Sequence, residues 1–155
     1  MTETPTTPAT GKERRRHFRV PVPENSQLRV RVWRLAPGVP LATRPMPSQL
    51  LPVDVRQLSA EGMTLSVRGG RDGQPTRVSA TDRLRVEVQY ADRTALVEAR
   101  LREPADRPTT DAPFPAGLRL HGRPTDHTHR EAMATVATIV AHLQREALRA
   151  RRTAA

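Results

Sequence analysis

The chain has 155 residues, with 26 Lys or Arg against 16 Asp or Glu, which gives a formal net charge of +10. This length fits one domain with a single core, and the absence of cysteine excludes disulfides and thiolate metal sites. No apolar run approaches the roughly 18–20 residues of a membrane span, and the polar N-terminus lacks the apolar stretch of a signal peptide. We therefore expect a cytoplasmic protein.

The positive charge raises the question of nucleic-acid binding. Only Lys12 is a lysine, the arginines are spread over the whole length, and aromatic residues make up 3% of the chain. Few aromatic side chains mean few platforms on which bases can stack. The composition therefore argues against generic nucleic-acid binding, although a basic nucleic-acid-binding barrel stays as an alternative.

The N-terminal region divides into a tail and a basic linker. Residues 1–12 are rich in Pro and Thr and predict a disordered tail, because they bury too little surface to offset the entropy of ordering. Residues 13–27 contain the guanidinium cluster Arg14, Arg15 and Arg19. Guanidinium is planar, forked and permanently charged, so a cluster suits phosphate oxygens and also stacks on a flat base. This segment is predicted to be a ligand-binding linker.

Six short stretches with alternating apolar residues follow between residues 28 and 122. Even spacing of short antiparallel strands is typical of a small barrel or a sandwich, which periodicity alone does not separate. Residues 91–94 predict a hairpin turn between the fourth and fifth strands. The apolar positions of the six strands are Leu28, Val30, Val32; Val53, Val55; Met63, Leu65, Val67; Leu84, Val86, Val88, Tyr90; Val97, Ala99, Leu101; Leu118 and Leu120.

The segment Gln57–Gly62 forms a turn between the second and third predicted strands. A serine hydroxyl and a glycine backbone at a tight turn allow a ligand to approach closely, as at Ser59 and Gly62. Together with the arginine cluster, this turn indicates an anionic, nucleotide-like ligand.

A C-terminal amphipathic helix is predicted within residues 123–152. Thr128 and Glu131 are spaced as a capping box, with Asp126 also near the start. Arginines near the end complement the helix dipole. We expect this helix to pack on the barrel and close one opening, with a homodimer contact as the alternative role. Its predicted apolar stripe is Met133, Val136, Ala137, Val140, Leu143, Ala147 and Leu148.

Catalysis has little support in the sequence. His127 and His129 are two residues apart and face different directions on a helix, which makes a poor metal pair. No third ligand lies at a recognisable spacing, and no nucleophile motif or Gly-rich phosphate loop is present. We expect a protein that is not an enzyme and that has no metal or cofactor.

The two motifs together resemble the PilZ family of bacterial cyclic di-GMP receptors. The family pattern is Arg-Arg-x-x-x-Arg in an N-terminal linker, which Arg14, Arg15 and Arg19 match. The second pattern is Asp/Asn-x-Ser-x-x-Gly on the barrel, and Ser59 and Gly62 match it. The departure is Gln57, which stands where the family has Asp or Asn.

The resemblance implies a six-stranded antiparallel β-barrel with a C-terminal helix, and cyclic di-GMP as the ligand. It also implies that Gln57 hydrogen-bonds a guanine, that Ser59 helps to hold base and phosphate, and that Gly62 keeps the turn open. We expect the arginine-rich linker, residues 13–27, to act as an arm that closes over the ligand. This closure would change the surface shown to a downstream protein partner. The alternative within this family is a degenerate PilZ adaptor that no longer binds the nucleotide.

Overall fold

The computed structural model describes residues 19–23, 26–70, 76–102 and 114–154. Within these ranges the chain is mainly β with one long C-terminal helix, which confirms the predicted fold class. The predicted tail and much of the predicted linker, including Arg14 and Arg15, lie outside the described residues. The elements are strands β1 Val20–Pro21, β2 Leu28–Leu35, β3 Val53–Leu58, β4 Gly62–Val67, β5 Arg83–Tyr90, β6 Arg93–Leu101 and β7 Phe114–His121, a 3₁₀ turn at Pro47–Gln49, and helix α1 His127–Ala154.

The strands form one curled antiparallel sheet in the order β1-β3-β4-β7-β6-β5-β2. The outer edge of β2 turns back toward the start of β3. There Trp33 is bridged to Leu50, and the Leu51 N–H donates to the Val32 carbonyl at 2.8 Å. The sheet therefore closes into a half-barrel, with the connection before β3 covering part of its seam.

The described sheet has seven strands, where the sequence predicts six. The additional strand is β1, a pair of residues within the stretch predicted to be linker. Two residues are too short to show an alternating pattern, and Pro21 has no N–H to donate, so local sequence does not reveal this pairing. The last strand also begins at Phe114, before the predicted apolar positions 118 and 120.

The core fills the concave side of the sheet. Inward positions of the central strands, such as Val86, Val97 and Leu118, are almost completely buried. Helix α1 adds Ile139 and Leu143 to the same cluster. Full burial of one such side chain contributes about 1.5–3 kcal/mol to the free energy of unfolding. The inward residues of the strands and the apolar stripe of the helix form one core.

The start of α1 differs from the predicted capping box. Thr128 lies inside the helix, and its N–H donates to Asp126 Oδ1 at 3.0 Å, so Asp126 supplies the cap. Glu131 instead pairs with His127 at 3.1 Å. Val136, Val140 and Leu143 of the predicted apolar stripe are buried, which confirms its centre, but Ala137 and Leu148 are exposed and the buried Ile139 was not predicted.

Helix α1 packs mainly against β6 and also contacts β1. At the end of β5, the Tyr90 hydroxyl donates to Glu146, and the Tyr90 ring stacks on His142 with centroids 6.0 Å apart. The hydrogen bond to Glu146, burial and the nearby negative charge of Glu146 all raise the pKa of Tyr90. In the described part of the chain, no helix combines the length and apolarity needed to cross a membrane.

The Pro-rich connection between β2 and β3 is fixed to the outer face of β5 by two arginines. Arg83 Nη1 donates to the Val39 carbonyl at 2.8 Å, and Arg85 Nε donates to the Leu41 carbonyl at 3.1 Å. The Arg85 guanidinium also lies 4.9 Å from the centre of the Trp33 ring. Backbone carbonyl groups of the connection thereby accept hydrogen bonds from side chains, whereas in a sheet they would accept them from a neighbouring strand.

Candidate functional site

The end of the predicted linker lies beside the Ser59–Gly62 turn. Val20 pairs with Leu58 and Pro21 with Gln57, and the Val22 N–H donates to the Arg56 carbonyl at 2.9 Å. The next step in this antiparallel register places Arg19 opposite Ser59. Because Val20 and Leu58 point into the core, Arg19 belongs to the outer face of the sheet. The pairing of β1 with β3 therefore brings Arg19, the last residue of the arginine motif, to the second motif about forty residues later in the sequence.

We call Ser59–Gly62 the motif turn, and its geometry depends on the Ser59 hydroxyl. Ser59 Oγ accepts the N–H of Glu61 at 3.3 Å and the N–H of Gly62 at 3.1 Å, and donates to the Gly62 carbonyl at 3.2 Å. One donor and two acceptor sites are all that a hydroxyl offers. With 7% of Ser59 exposed, this side chain shapes the turn and has no spare hydrogen-bonding capacity.

Gly62 is required by the close approach of β7. A Cβ at this position would lie 2.1 Å from the Leu118 carbonyl oxygen, which is backbone and has little room to move. The Leu120 N–H also donates to the Glu61 carbonyl at 2.8 Å. The Ser-x-x-Gly spacing is therefore explained by local structure: serine closes the turn, and glycine lets β7 pack against it.

Gln57 lies on the outer face between Pro21 of β1 and Thr64 of β4 in the cross-strand row. The pairing shifts between Val55 and Gln57, so that Arg56 is the extra residue of a β-bulge. Bulges re-aim the side chains that follow them. Gln57 is half-buried and stands one residue before the strand end, near the register position of Arg19.

A solved structure shares this arrangement of strands and helix. The PilZ domain of YcgR from Escherichia coli, determined with c-di-GMP, aligns over 90% of this chain and 98% of its own at a TM-score of 0.51 and 18% identity. The chain has a PilZ-like fold. At this identity the likeness concerns the fold alone.

A second YcgR structure from Escherichia coli, also in complex with c-di-GMP, aligns over 92% of this chain at a TM-score of 0.49 and 18% identity. The alignment spans 51% of the second YcgR chain, so the present chain corresponds to about half of the length of that protein. No family model matches the sequence, and no curated protein matches it.

Three arginines that the motifs do not include lie beside the motif turn on the outer face of the PilZ-like sheet. Arg119 of β7 is the cross-strand partner of Gly62 and also of Arg100 in β6. The Arg102 N–H donates to the Gly117 carbonyl at 2.9 Å, one row further along. Alternation with Leu101 and Leu118 indicates their outward direction, but only the strand register reveals that they are neighbours.

Proposed function

We propose that this protein is a PilZ-type receptor for cyclic di-GMP. The observation that carries the proposal is the β1–β3 pairing, which sets Arg19 of the arginine motif beside the motif turn. Cyclic di-GMP offers two phosphates and two guanines. An arginine arm next to a tight turn on an exposed sheet face supplies cations for the phosphates and flat guanidinium groups for the bases.

In this receptor the residues divide into two roles. Arg14, Arg15 and Arg19 bind phosphate and stack on a guanine, and Gln57 hydrogen-bonds a guanine edge from the outer face of β3. Ser59 and Gly62 hold the turn that positions them, because the Ser59 hydroxyl is fully used within the turn. Arg14 and Arg15 enter the proposal from the sequence motif, since they precede the described residues.

The test is calorimetric titration of the protein with cyclic di-GMP at about physiological ionic strength. An Arg15→Ala/Arg19→Ala variant removes two of the three motif arginines. Arg93→Ala is the matched control, because Arg93 is an exposed arginine at the far end of β6. Loss of one charge-assisted hydrogen bond costs about 1.5–3 kcal/mol, or roughly 10- to 150-fold in affinity. We expect at least this loss in the double variant and none in the control. Equal binding of GTP, or equal affinity in all three proteins, would refute the proposal.

Gln57→Asp provides a test of the guanine contact. A carboxylate accepts two N–H groups with the strength of a charged acceptor, whereas the glutamine amide accepts through one neutral oxygen. We expect the variant to bind cyclic di-GMP more tightly by about tenfold or more. Unchanged or weaker binding would show that Gln57 is not at the guanine.

We further propose that ligand binding orders the arm and alters the surface shown to a downstream protein. Helix α1 contacts β1, so the strand that ends the arm also touches the C-terminal helix. Hydrogen exchange provides the test: amides of Arg15 and Arg19 should be protected only with ligand. Val22 is an internal control, because its N–H is already bonded to Arg56. Equal protection of the arginine amides in both states would eliminate the switch but leave binding intact.

A degenerate PilZ-like adaptor is the second candidate, and the observation that favours it is Gln57. Such a protein would keep the fold, and so the motif turn, because Ser59 and Gly62 are required structurally. Folded protein that gives no saturable heat with cyclic di-GMP, in wild type and in Gln57→Asp alike, would identify it.

A further inference from the structure

The outer face next to the motif turn has an arginine patch, which we define as Arg100, Arg102 and Arg119. Arg119 pairs across strands with Gly62 on one side and with Arg100 on the other. Arg102 lies opposite Gly117 on the neighbouring strand, and a Cβ added to Gly117 would lie 3.5 Å from the Arg102 side chain. Gly62 adds no side chain to this face, and the side chain of Arg102 lies over Gly117.

The patch contains like charges at directly opposite positions. Arg100 and Arg119 are paired residues of neighbouring antiparallel strands, where Cβ atoms lie about 4.5–5.5 Å apart and like charges are destabilising. The nearest carboxylate in the described ion pairs is Glu98. Its Oε1 is taken by Arg83 Nη2 at 2.7 Å, whereas Arg100 Nη2 lies 4.0 Å from its Oε2. Glu98 is therefore shared between Arg83 and Arg100, and this one carboxylate does not balance the three arginines of the patch.

The arginines of the patch also have unused donors. Arg102 and Arg119 are exposed and take part in no ion pair among the described residues. The Nε of Arg100 is buried and, in the described part of the chain, has no hydrogen-bond partner. A buried donor without an acceptor costs about 1–3 kcal/mol. An anion on the patch would accept hydrogen bonds from the exposed guanidinium groups and relieve the repulsion between them.

We propose that the arginine patch is a phosphate-binding subsite that takes one phosphate of the cyclic dinucleotide. The identity of this ligand rests on the proposed function, whereas the affinity for phosphate rests on the patch alone. Gly62 of the motif turn is the cross-strand partner of Arg119 in the patch, so the two surfaces are continuous. A pair of forked guanidinium groups suits the tetrahedral oxygens of a phosphodiester.

The first experiment uses inorganic pyrophosphate as the probe and follows amide chemical shifts of the full chain. We expect saturable shifts at Gly62, Gly117 and Arg119 in the wild type. Arg100→Gln/Arg119→Gln should weaken this binding by tenfold or more, whereas Arg93→Gln, about 23 Å from Arg100 along β6, should leave it unchanged. Absence of saturable shifts, or equal binding in the double variant with its native spectrum retained, would overturn the subsite.

The second experiment adds cyclic di-GMP, and it separates failure of the subsite from failure of the receptor function. We expect cyclic di-GMP to displace pyrophosphate, and its affinity to fall at least tenfold in the double variant. Normal cyclic di-GMP binding by the double variant would overturn the subsite's assignment to the nucleotide and leave the receptor function standing. Pyrophosphate binding by a wild type that ignores cyclic di-GMP would overturn the receptor function and leave a phosphate site. Tighter binding of a single-stranded oligonucleotide than of cyclic di-GMP would overturn the nucleotide assignment in favour of nucleic acid.

Discussion

The outer faces of β5 and of the β6–β7 pair both have arginines at outward positions, but their surroundings differ. On β5, Arg83 and Arg85 are directed to Glu98 and to the carbonyls of the Pro-rich connection. On β6 and β7, Arg102 and Arg119 are exposed and have no described ion pair. The same residue type in the same alternation is structural where a loop supplies carbonyl acceptors, whereas in the described part of the β6–β7 face no loop carbonyl accepts from Arg102 or Arg119.

This difference means that the overall charge says little about function. Arg85 is 9% exposed and contributes to folding through contacts that do not depend on a ligand. The arginine patch instead raises the energy of the folded state through repulsion, which an anionic ligand would reverse. Substitutions on the two faces should therefore act on different properties, and the following tests are ordered from the largest expected effect.

Gly62→Ala should have the largest effect, since it places a methyl group against the β7 backbone beneath the patch. A Cβ 2.1 Å from the Leu118 carbonyl forces the two strands apart, and we expect the free energy of unfolding to fall by about 3 kcal/mol. Urea denaturation measures this loss. Gly117→Ala is the matched control, because its Cβ meets only the Arg102 side chain at 3.5 Å. Similar losses in both variants would show that the turn does not depend on close approach.

Arg85→Gln should destabilise the fold by about 2 kcal/mol, from one hydrogen bond to a carbonyl and one cation–π contact. The variant should bind cyclic di-GMP as the wild type does, because the lost contacts lie on the β5 face. Thermal or urea unfolding and titration measure the two properties. Arg29→Gln, an exposed arginine of β2, should change stability by less than about 0.5 kcal/mol. Weakened ligand binding in Arg85→Gln would show that the β5 face also contributes to ligand binding.

Tyr90→Phe tests a contact of β5 on the core side of the sheet. Loss of the hydrogen bond to Glu146 should cost about 1–2 kcal/mol near neutral pH. Because the pKa of Tyr90 is raised in the folded state, this stabilisation is complete below the unfolded value of about 10 and is lost as the pH rises through the folded-state pKa. Urea unfolding of both proteins at pH 8 and above pH 10 measures the change. A difference that does not shrink at alkaline pH would show that the hydroxyl bond is not its cause.

Arg119→Gln should have the smallest effect on stability and the opposite sign. Removal of one of two opposed like charges should leave the free energy of unfolding unchanged or raise it by up to about 0.5 kcal/mol at low ionic strength. Added salt should reduce this gain, because it screens the repulsion in the wild type. A loss of 1 kcal/mol or more would show that Arg119 is structural, like Arg85, and the contrast between the faces would disappear.

Local sequence predicted the six longer strands and the C-terminal helix, because alternation and helical spacing report directly which side of an element is buried. It did not predict β1, where Val20 and Pro21 gain their partners only from β3. The capping box was wrong for a related reason: Thr128 fits the local pattern, but Asp126 reaches the first N–H groups.

The candidate site divides in the same way. The spacing of Ser59 and Gly62 is a local property, and the sequence identified it together with the arginine motif. The role of Ser59 was not visible, because the saturation of its hydroxyl depends on the turn geometry. Whether Arg14 and Arg15 join the site stays a prediction from the motif.

The sequence by itself determined the class of fold, because alternation and helical spacing report which side of each element is buried. The anion-binding linker stays a prediction from the arginine motif. Only the tertiary structure decided which arginines lie near the motif turn and which donate hydrogen bonds to loop carbonyls. The physical reason is that the surroundings of a guanidinium depend on strand register and on loop carbonyls brought from distant parts of the chain. Arg85 and Arg119 both occupy outward positions in the alternating pattern of their strands. They differ in the hydrogen-bond acceptors that surround them.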